Sequence, residues 1–193
     1  MVEVDVSILF HQDLEAIQAD LFQFFQKFGG LSKQGHNHHL LTLYEFDLQK
    51  DLVLEWPITL AVSLYPHASG KLEEDLHYFE THVGFQPGSC VTLGTVTRHP
   101  QAIPVVYGLT LALARAFSGV VEVDDPLMDR GLEERDWQTG FARLQKQFVP
   151  HPGQMWAAPY LTADEEIWFF AVLDADFLEW LLSQNNRWPL LGR

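Results

Sequence analysis

The 193-residue chain lacks most features that mark secreted and membrane-spanning proteins. Its single cysteine, Cys90, cannot form a disulfide within the chain, and the N-terminus lacks the basic start and continuous apolar run of a signal peptide. The longest apolar stretch, Val105 to Phe117, contains polar residues and is shorter than the roughly 20 residues that a membrane span needs. We therefore expect a protein of a reducing compartment, the cytoplasm.

Positive charge is also scarce. The chain carries 12 Lys and Arg against 26 Asp and Glu, a formal net charge of −14. Such a surface repels nucleic acid and anionic membranes, so we expect neither as a partner. We expect a protein partner of basic character instead, while the oligomeric state stays open. The apolar content of 47% is that of a globular chain with a packed core.

The hydrophobic periodicity predicts an α+β fold, in which helices pack on one face of a mostly antiparallel sheet. We expect one domain over residues 1–193, built from two strand-helix-strand-strand-helix repeats (1–86 and 87–193) with an acidic insertion near 124–154. The predicted strands are 2–8, 41–46, 58–65, 90–97, 120–123, 156–160 and 167–172. The predicted helices are 14–28, 70–84, 105–117 and a last one capped by Asp174 or Asp176.

Helix 105–117 is apolar on nearly every side, so we expect it to be the most buried helix. The predicted core consists of Ile8, Phe25, Phe28, Leu43, Val62, Leu64, Leu111, Leu113, Val121, Phe169 and Val172. Replacing a core leucine such as Leu111 by alanine would then cost about 2–5 kcal/mol of folding free energy.

Three histidines, His36, His38 and His39, form the most site-like short motif, because imidazole nitrogens bind zinc and similar ions. In an extended chain, however, His36 and His38 share one side while His39 points away. No cysteine or carboxylate lies beside them. Exposed loop histidines are the expected outcome, a metal site is the less favoured alternative, and we expect no cofactor.

An acidic stretch follows the predicted strand 120–123 and ends near a tryptophan. Its spacing is not that of a calcium-binding loop, and no lysine, histidine or glycine-rich phosphate loop nearby completes a catalytic site. A solvated loop and an acidic docking surface are the two interpretations. The candidate partner-binding residues are Asp124, Asp125, Asp129, Glu133, Glu134 and Trp137.

The motifs of common enzymes are absent: there is no nucleophile elbow, dinucleotide fingerprint, phosphate loop or zinc-protease motif. Cys90 lies in an apolar strand pattern, where a cysteine is usually an inert core residue. Tryptophans are enriched where proteins bind each other, and the six in this chain could anchor an interface. We expect Trp168 and Trp180 in the core and Trp137, beside the acidic stretch, at the interface.

Three segments carry a resemblance to known sequences: Leu113 to Val121, Met155 to Thr162 and Asp174 to Leu181. Their order, an alanine-rich helix ending in glycine before a strand, a Pro-Tyr strand and an Asp-Ala-x-Phe-Leu helix, resembles an uncharacterised bacterial family, mainly over residues 90–185. The pattern is also similar to small immunity proteins that neutralise toxins of competing bacteria. The resemblance implies a binding function and supplies no catalytic residue.

We therefore expect a non-enzymatic binding protein, an immunity-type inhibitor whose acidic surface covers a basic partner. One alternative is a metal-dependent enzyme that uses the acidic stretch or the histidines. The other is a structural subunit of a larger assembly.

Overall fold

The computed structural model describes residues 4–47, 53–66, 77, 79–96, 99–123, 139, 141–142, 145–146, 148–161 and 167–184. In this part of the chain the strands are β1 (Asp5–Phe10), β2 (Gly29–Lys33), β3 (His38–Leu43), β4 (Ile58–Pro66), β5 (Ser89–Thr95), β6 (Val120–Val123), β7 (Met155–Leu161) and β8 (Ile167–Leu173). The helices are α1 (Leu14–Gln26), α2 (Ala102–Phe117) and α3 (Ala175–Ser183), together with a π-helical segment (Phe79–Val83).

All eight strands form one sheet in the order β2-β3-β4-β5-β1-β6-β8-β7, and each neighbouring pair is antiparallel. The predicted α+β class and antiparallel sheet are confirmed. Pro159 lies in β7, an edge strand, where the missing backbone N–H of proline is tolerated.

At the centre of the sheet, one strand from each predicted half lies next to the strands of the other half. Strand β5 lies between β4 and β1 of the first half, and β1 lies between β5 and β6 of the second. Outside this pair the halves differ, because β4-β3-β2 runs outward on one side and β6-β8-β7 on the other. The order of strands therefore does not repeat.

Strand β2 is an element that the sequence prediction missed. The helix predicted over 14–28 ends at Gln26, and Gly29 begins the strand. A Cβ atom at position 29 would overlap the carbonyl oxygen of Thr42 on β3, so only glycine permits this approach. Residues 29–33 have little strand propensity, and their strand conformation depends on pairing with β3.

Helices α1, α2 and α3 pack on one face of the sheet and enclose the main hydrophobic core. Of the predicted core residues, Ile8, Phe25, Leu43, Val62, Leu64, Leu113, Val121 and Val172 are buried. Phe28 and Leu111 are only partly buried and pack at the margin of the core, so those two predictions were wrong. The side chain of Phe169 lies outside the described residues. Because Leu113 is fully buried, the 2–5 kcal/mol expected for Leu111→Ala applies to Leu113→Ala instead.

Helix α2 ends at a tightly packed turn. Ser118 adopts the left-handed conformation (φ 53°), and the backbone N–H of Gly119 donates to the carbonyl of Ala114. Phe117 then stacks edge-on against Phe10 of β1 and Phe24 of α1. The glycine is required because a Cβ atom at 119 would collide with the Phe10 ring.

Helix α3 begins at Ala175 and is capped by Asp174, one of the two caps that the sequence offered. The Asp174 carboxylate accepts hydrogen bonds from the backbone N–H of Phe177 (2.8 Å) and from the N–H of Gln154 (2.8 Å) just before β7. It therefore caps the helix and holds the start of β7 beside it. At the surface Arg115 forms a bidentate ion pair with Glu179 and joins α2 to α3. Arg115 lowers the pKa of the Glu179 carboxyl by this hydrogen bonding.

The second face of the sheet is only partly covered. The π-helical segment, predicted as part of a longer helix on 70–84, places Phe79 over Leu9, Cys90, Val120 and Val172. Tyr65 and Trp156 pack against this cluster, and the rest of this face on β3, β4, β5 and β1 carries mainly small and polar side chains. Over the described residues, no helix combines the length and apolarity required to cross a bilayer.

Candidate partner-binding site

The six predicted docking residues lie outside the described residues; they are Asp124, Asp125, Asp129, Glu133, Glu134 and Trp137. The place where this acidic stretch leaves the sheet is nevertheless defined. Glu122 pairs with Ser7, and β6 ends at Val123 near the start of β1. At this same end of the sheet β3 and β5 end and β4 begins.

The three histidines of the predicted metal motif are dispersed around the β2–β3 hairpin. His36 is exposed in the turn, and His38 is exposed on the partly open face of the sheet. His39 is buried on the helix-covered face, where its ring packs against Phe22 at 5.0 Å. His38 and His39 point to opposite faces and cannot bind one ion. Among the described residues, no group of three or more His, Cys, Asp or Glu is placed to hold a metal ion.

His39 is an unusual core residue. Burial is the main cause that lowers its pKa, and the positive charge of Lys33 and the neighbouring His38 lower it further. Lys33 lies directly across from His39 in the strand register. The Nδ1 atom of His39 is buried without a hydrogen-bond partner. These features disfavour the charged imidazolium in the folded protein.

An exposed aromatic and acidic cluster lies at the end of the sheet where the acidic stretch begins. Tyr44 follows β3 and Trp56 precedes β4, and each is 67% exposed. Three exposed carboxylates accompany them, and we call the set the aromatic rim: Tyr44, Glu45, Asp47, Glu55 and Trp56. The described parts of these two segments, 44–47 and 53–57, contain no lysine or arginine.

Buried neighbouring residues and two hydrogen bonds fix the backbone of the aromatic rim. Phe46 is buried between the exposed Glu45 and Asp47, and Leu54 packs on the core next to Glu55. Gln101, just before α2, accepts a hydrogen bond from the N–H of Glu55 (3.2 Å) and donates one to the carbonyl of Val53 (2.7 Å). Both segments are therefore held in place with Tyr44 and Trp56 directed outward.

A polar row crosses the open part of the second face. The strand register places His38, Ser63, Thr92, Ser7 and Glu122 side by side on β3, β4, β5, β1 and β6. His38 Nδ1 is 2.8 Å from Ser63 Oγ, and Ser7 Oγ is 3.1 Å from Thr92 Oγ1, both within hydrogen-bond distance. These bonds hold the hydroxyls in an ordered line.

The next row is formed by Leu40, Ala61, Gly94 and Asp5. The carboxylate of Asp5 lies over Gly94 and fills the space that a side chain there would need. Among the described sheet residues on this face there is no lysine or arginine, so its charges are those of Asp5 and Glu122, together with the imidazole of His38.

The described residues of this face do not extend the His38–Ser63 pair into a nucleophilic site. Such a site needs a third group that orients the histidine. Asp5 and Glu122 lie three and four strands away from His38, which is at least about 14 Å at the usual interstrand spacing. The row can donate and accept hydrogen bonds with a bound molecule, which is the chemistry of a recognition surface.

Sequence reasoning missed the aromatic rim. The available signal was the alternation in Tyr44-Glu45-Phe46-Asp47 and in Glu55-Trp56, but a pattern in sequence does not tell which of two aromatics is buried. Both residues lie beyond the end of β3, where Phe46 is buried in the main core and Tyr44 is exposed.

The fold defines an α+β protein built on one antiparallel sheet. Over residues 6–187 the chain matches the family of unknown function DUF6368, and it belongs to that family. Neither a curated protein nor a solved structure matches it. Membership in an uncharacterised family was expected and is confirmed, whereas no comparison supports the resemblance to immunity proteins.

Proposed function

We propose that this protein is a non-enzymatic binding protein of the immunity-inhibitor type, which recognises a basic protein partner at the aromatic rim. The observation that carries the proposal is the exposure of Tyr44 and Trp56 among Glu45, Asp47 and Glu55 on anchored segments. The net charge of −14 and the start of the acidic stretch at the same end of the sheet support it.

Aromatic and acidic groups have different roles in this proposal. Tryptophan and tyrosine bury large areas at low entropic cost and dominate the energy of many interfaces. The carboxylates steer a positively charged partner toward them and speed association, an effect that salt screens. Because the rim is held by Phe46, Leu54 and Gln101, little conformational entropy is lost on binding.

The first experiment is recovery of proteins that co-purify from the native host, followed by kinetics with the recovered partner. Trp56→Ala should weaken binding about tenfold or more, mainly through faster dissociation. Val149→Ala is the control, since Val149 is a comparably exposed apolar residue outside the rim. Equal affinity of Trp56→Ala and wild type would place the interface elsewhere.

The charge contribution is tested separately. A triple variant of the rim should slow association about tenfold at low salt and flatten the salt dependence of the association rate. It combines Glu45→Gln, Asp47→Asn and Glu55→Gln. The matched control carries Glu15→Gln, Asp20→Asn and Glu80→Gln, which change the net charge equally at exposed positions outside the rim. If both triple variants slow association to the same extent, the effect belongs to the net charge and not to the rim.

The inhibitor character has its own test. If the recovered partner has a measurable activity, one equivalent of this protein should abolish it, and Trp56→Ala should require a larger excess. If the partner keeps its full activity in the saturated complex, the inhibitor assignment is contradicted and only the binding function stands.

A further inference from the structure

We infer that the outer edge of strand β2 binds an extended acidic segment of another protein, which joins the sheet as a further strand. The inference goes beyond the proposed function, because it concerns a different surface and a partner segment of opposite charge. Strand β2 stands first in the order of the sheet and pairs with β3 alone among the described strands. One side of its backbone therefore has no neighbouring strand in the described part of the chain.

The pairing with β3 determines which backbone groups face this outer edge. The N–H of Gln34 donates to the carbonyl of His38 (2.9 Å), at the next position of the β2–β3 register. Hydrogen-bonded and non-hydrogen-bonded positions alternate along an antiparallel pair. Gln34 and Ser32 therefore face β3. The N–H and C=O groups of Leu31 and Lys33 point the other way, toward the outer edge.

The opposite edge of the sheet, on β7, is less suited to a further strand. The N–H of Asp174 donates to the carbonyl of Gln154 (3.1 Å), at the position just before the β7–β8 register. By the same alternation, the backbone nitrogen of Pro159 in β7 points outward, where proline has no N–H to donate. Strand β2 contains no proline, and its register with β3 runs without a bulge. Of the two edges, that of β2 therefore suits strand addition.

The side chains of β2 leave its outer edge accessible. Gly30 and Ser32 are exposed on the second face of the sheet, and a Cβ atom on Gly30 would meet nothing within 4 Å. On the helix-covered face Leu31 is half-buried and packs at the margin of the main core. Directly opposed residues of paired strands share a face. An apolar residue opposite Leu31 in an added strand would therefore cover this margin.

Charge favours an acidic strand at this edge. Residues 21–44 include no aspartate or glutamate, in a chain that carries 26 of them. Lys27, which follows α1, and Lys33 of β2 are exposed, and neither forms an ion pair with a described residue. A carboxylate opposite Lys33 in an added strand would lie within reach of its ammonium group, which stabilises a cross-strand pair.

A second copy of this chain fits the edge less well. Pairing β2 with the β2 of another copy would bring Lys27 and Lys33 of both chains to one junction, on molecules of net charge −14. Lysine on an edge strand deters pairing between identical edges, whereas it attracts a carboxylate. The expected segment has an acidic residue, then any residue, then an apolar residue, which oppose Lys33, Ser32 and Leu31 in that order.

The probe is a fluorescently labelled synthetic peptide, Thr-Glu-Thr-Val-Thr-Glu-Thr, capped at both ends and measured by fluorescence anisotropy at low salt. In the expected register its first glutamate opposes Lys33 and its valine opposes Leu31. We expect saturable binding to the wild-type protein. Absence of binding would overturn the inference.

Two methylated versions of the peptide test the backbone contacts. Methylation of the valine nitrogen removes a hydrogen bond to β2, whereas methylation of the next threonine nitrogen alters a group that points away from β2. The first version should bind about tenfold more weakly than the second. Equal binding of the two versions would mean that the peptide is held by charge alone and would also overturn the inference.

Variants of Lys33 locate the peptide on the protein. Lys33→Gln removes only the charge and should weaken binding about threefold. Lys33→Pro also removes the N–H at the outer edge, spares the hydrogen bonds to β3, and should weaken binding about tenfold or more. The matched control is Lys146→Gln, at an exposed position beside Gln145, which contacts Met155 of β7, and it should bind as wild type does. If Lys33→Pro fails to fold by circular dichroism, the methylated peptides test the same hydrogen bonds on the unaltered protein.

Two further measurements separate this site from other interfaces. Trp56→Ala should leave peptide binding unchanged, so failure of the peptide leaves the proposed rim interface standing, and failure of the rim variants leaves the β2 edge standing. Sedimentation of the protein without peptide should show no dimer that depends on Lys33. A dimer that Lys33→Pro dissociates would assign the edge to a second copy and overturn the acidic partner.

Discussion

His39 shows how a single side chain couples stability to pH. Its pKa in the folded protein is lowered from the ordinary value of 6.5, mainly by burial and further by Lys33 and His38. In the unfolded chain the imidazole takes up a proton at the ordinary value. As the pH falls below about 6.5, the unfolded state therefore binds a proton that the folded state resists, and stability is lost.

We expect His39→Leu to flatten the dependence of the unfolding free energy on pH between about 7 and 5. Leucine suits the apolar contact with Phe22 and has no buried Nδ1 atom that lacks a partner. Urea titrations at several pH values measure the slope. His36→Gln, which removes an exposed histidine of the same hairpin, is the control, and a slope equal to that of wild type in His39→Leu would contradict the assignment.

Single residues also mark the limit of what the sequence could predict. The alternation of β6 and the cap of α3 at Asp174 were predictable, because both depend on local patterns. Leu111 was misplaced because α2 is apolar on nearly every side, and its sequence alone does not reveal which side meets the sheet. The opposite directions of His38 and His39 were predictable once a strand was assumed, but the partner Ser63 was not, since it lies 25 residues away.

At the scale of elements, the two potential helix caps differ in what they do. Asp174 accepts two backbone hydrogen bonds, one from α3 and one from the segment before β7. Asp13 occupies the corresponding position before α1 but makes no capping hydrogen bond with its side chain. Gly153, which precedes Gln154, packs against Asp174. It has φ of 73°, and a Cβ atom there would collide with the Asp174 carboxylate.

Asp174→Ala should therefore destabilise the protein by about 1–2 kcal/mol through loss of the cap, and Asp13→Ala by clearly less. Chemical denaturation of the two variants beside wild type measures the difference. Equal losses would mean that the Asp174 hydrogen bonds contribute no more than a generic charge near a helix N-terminus.

Elements held by long-range pairing were the ones that sequence patterns missed. Strand β2 has no strand-like composition and exists because β3 pairs with it, and the π-helical segment depends on Phe79 reaching the second face of the sheet. The aromatic rim arises from the order of strands. That order is set by pairings between residues more than 100 positions apart, such as Ser7 with Glu122, so periodicity could not locate this surface.

For the whole molecule, the net charge of −14 opposes compaction. Raising the sodium chloride concentration from about 10 to 300 mM shortens the range of this repulsion from roughly 30 Å to below 10 Å. We expect the midpoint of thermal unfolding to rise by about 2–4 °C for each kcal/mol that screening relieves. Calorimetry in sodium and potassium chloride separates screening, which is the same in both, from a specific ion effect. A midpoint that falls with salt would mean that attractive ion pairs such as Arg115–Glu179 outweigh the repulsion.

The central position of β1 has a consequence for the nascent chain. Its neighbours are β5 and β6, so β1 leaves the ribosome before either of the strands that pair with it, and it must wait until residues 89–95 have been synthesised. Through that interval Val6, Ile8 and Phe10 also lack α2, the helix that packs on β1, while β2, β3 and β4 are able to pair among themselves. The central part of the sheet can therefore fold only after β5 has been synthesised. A chain stalled before β5 presents an apolar strand with two unpaired edges. Such a segment is bound by chaperones and aggregates when it stays unpaired.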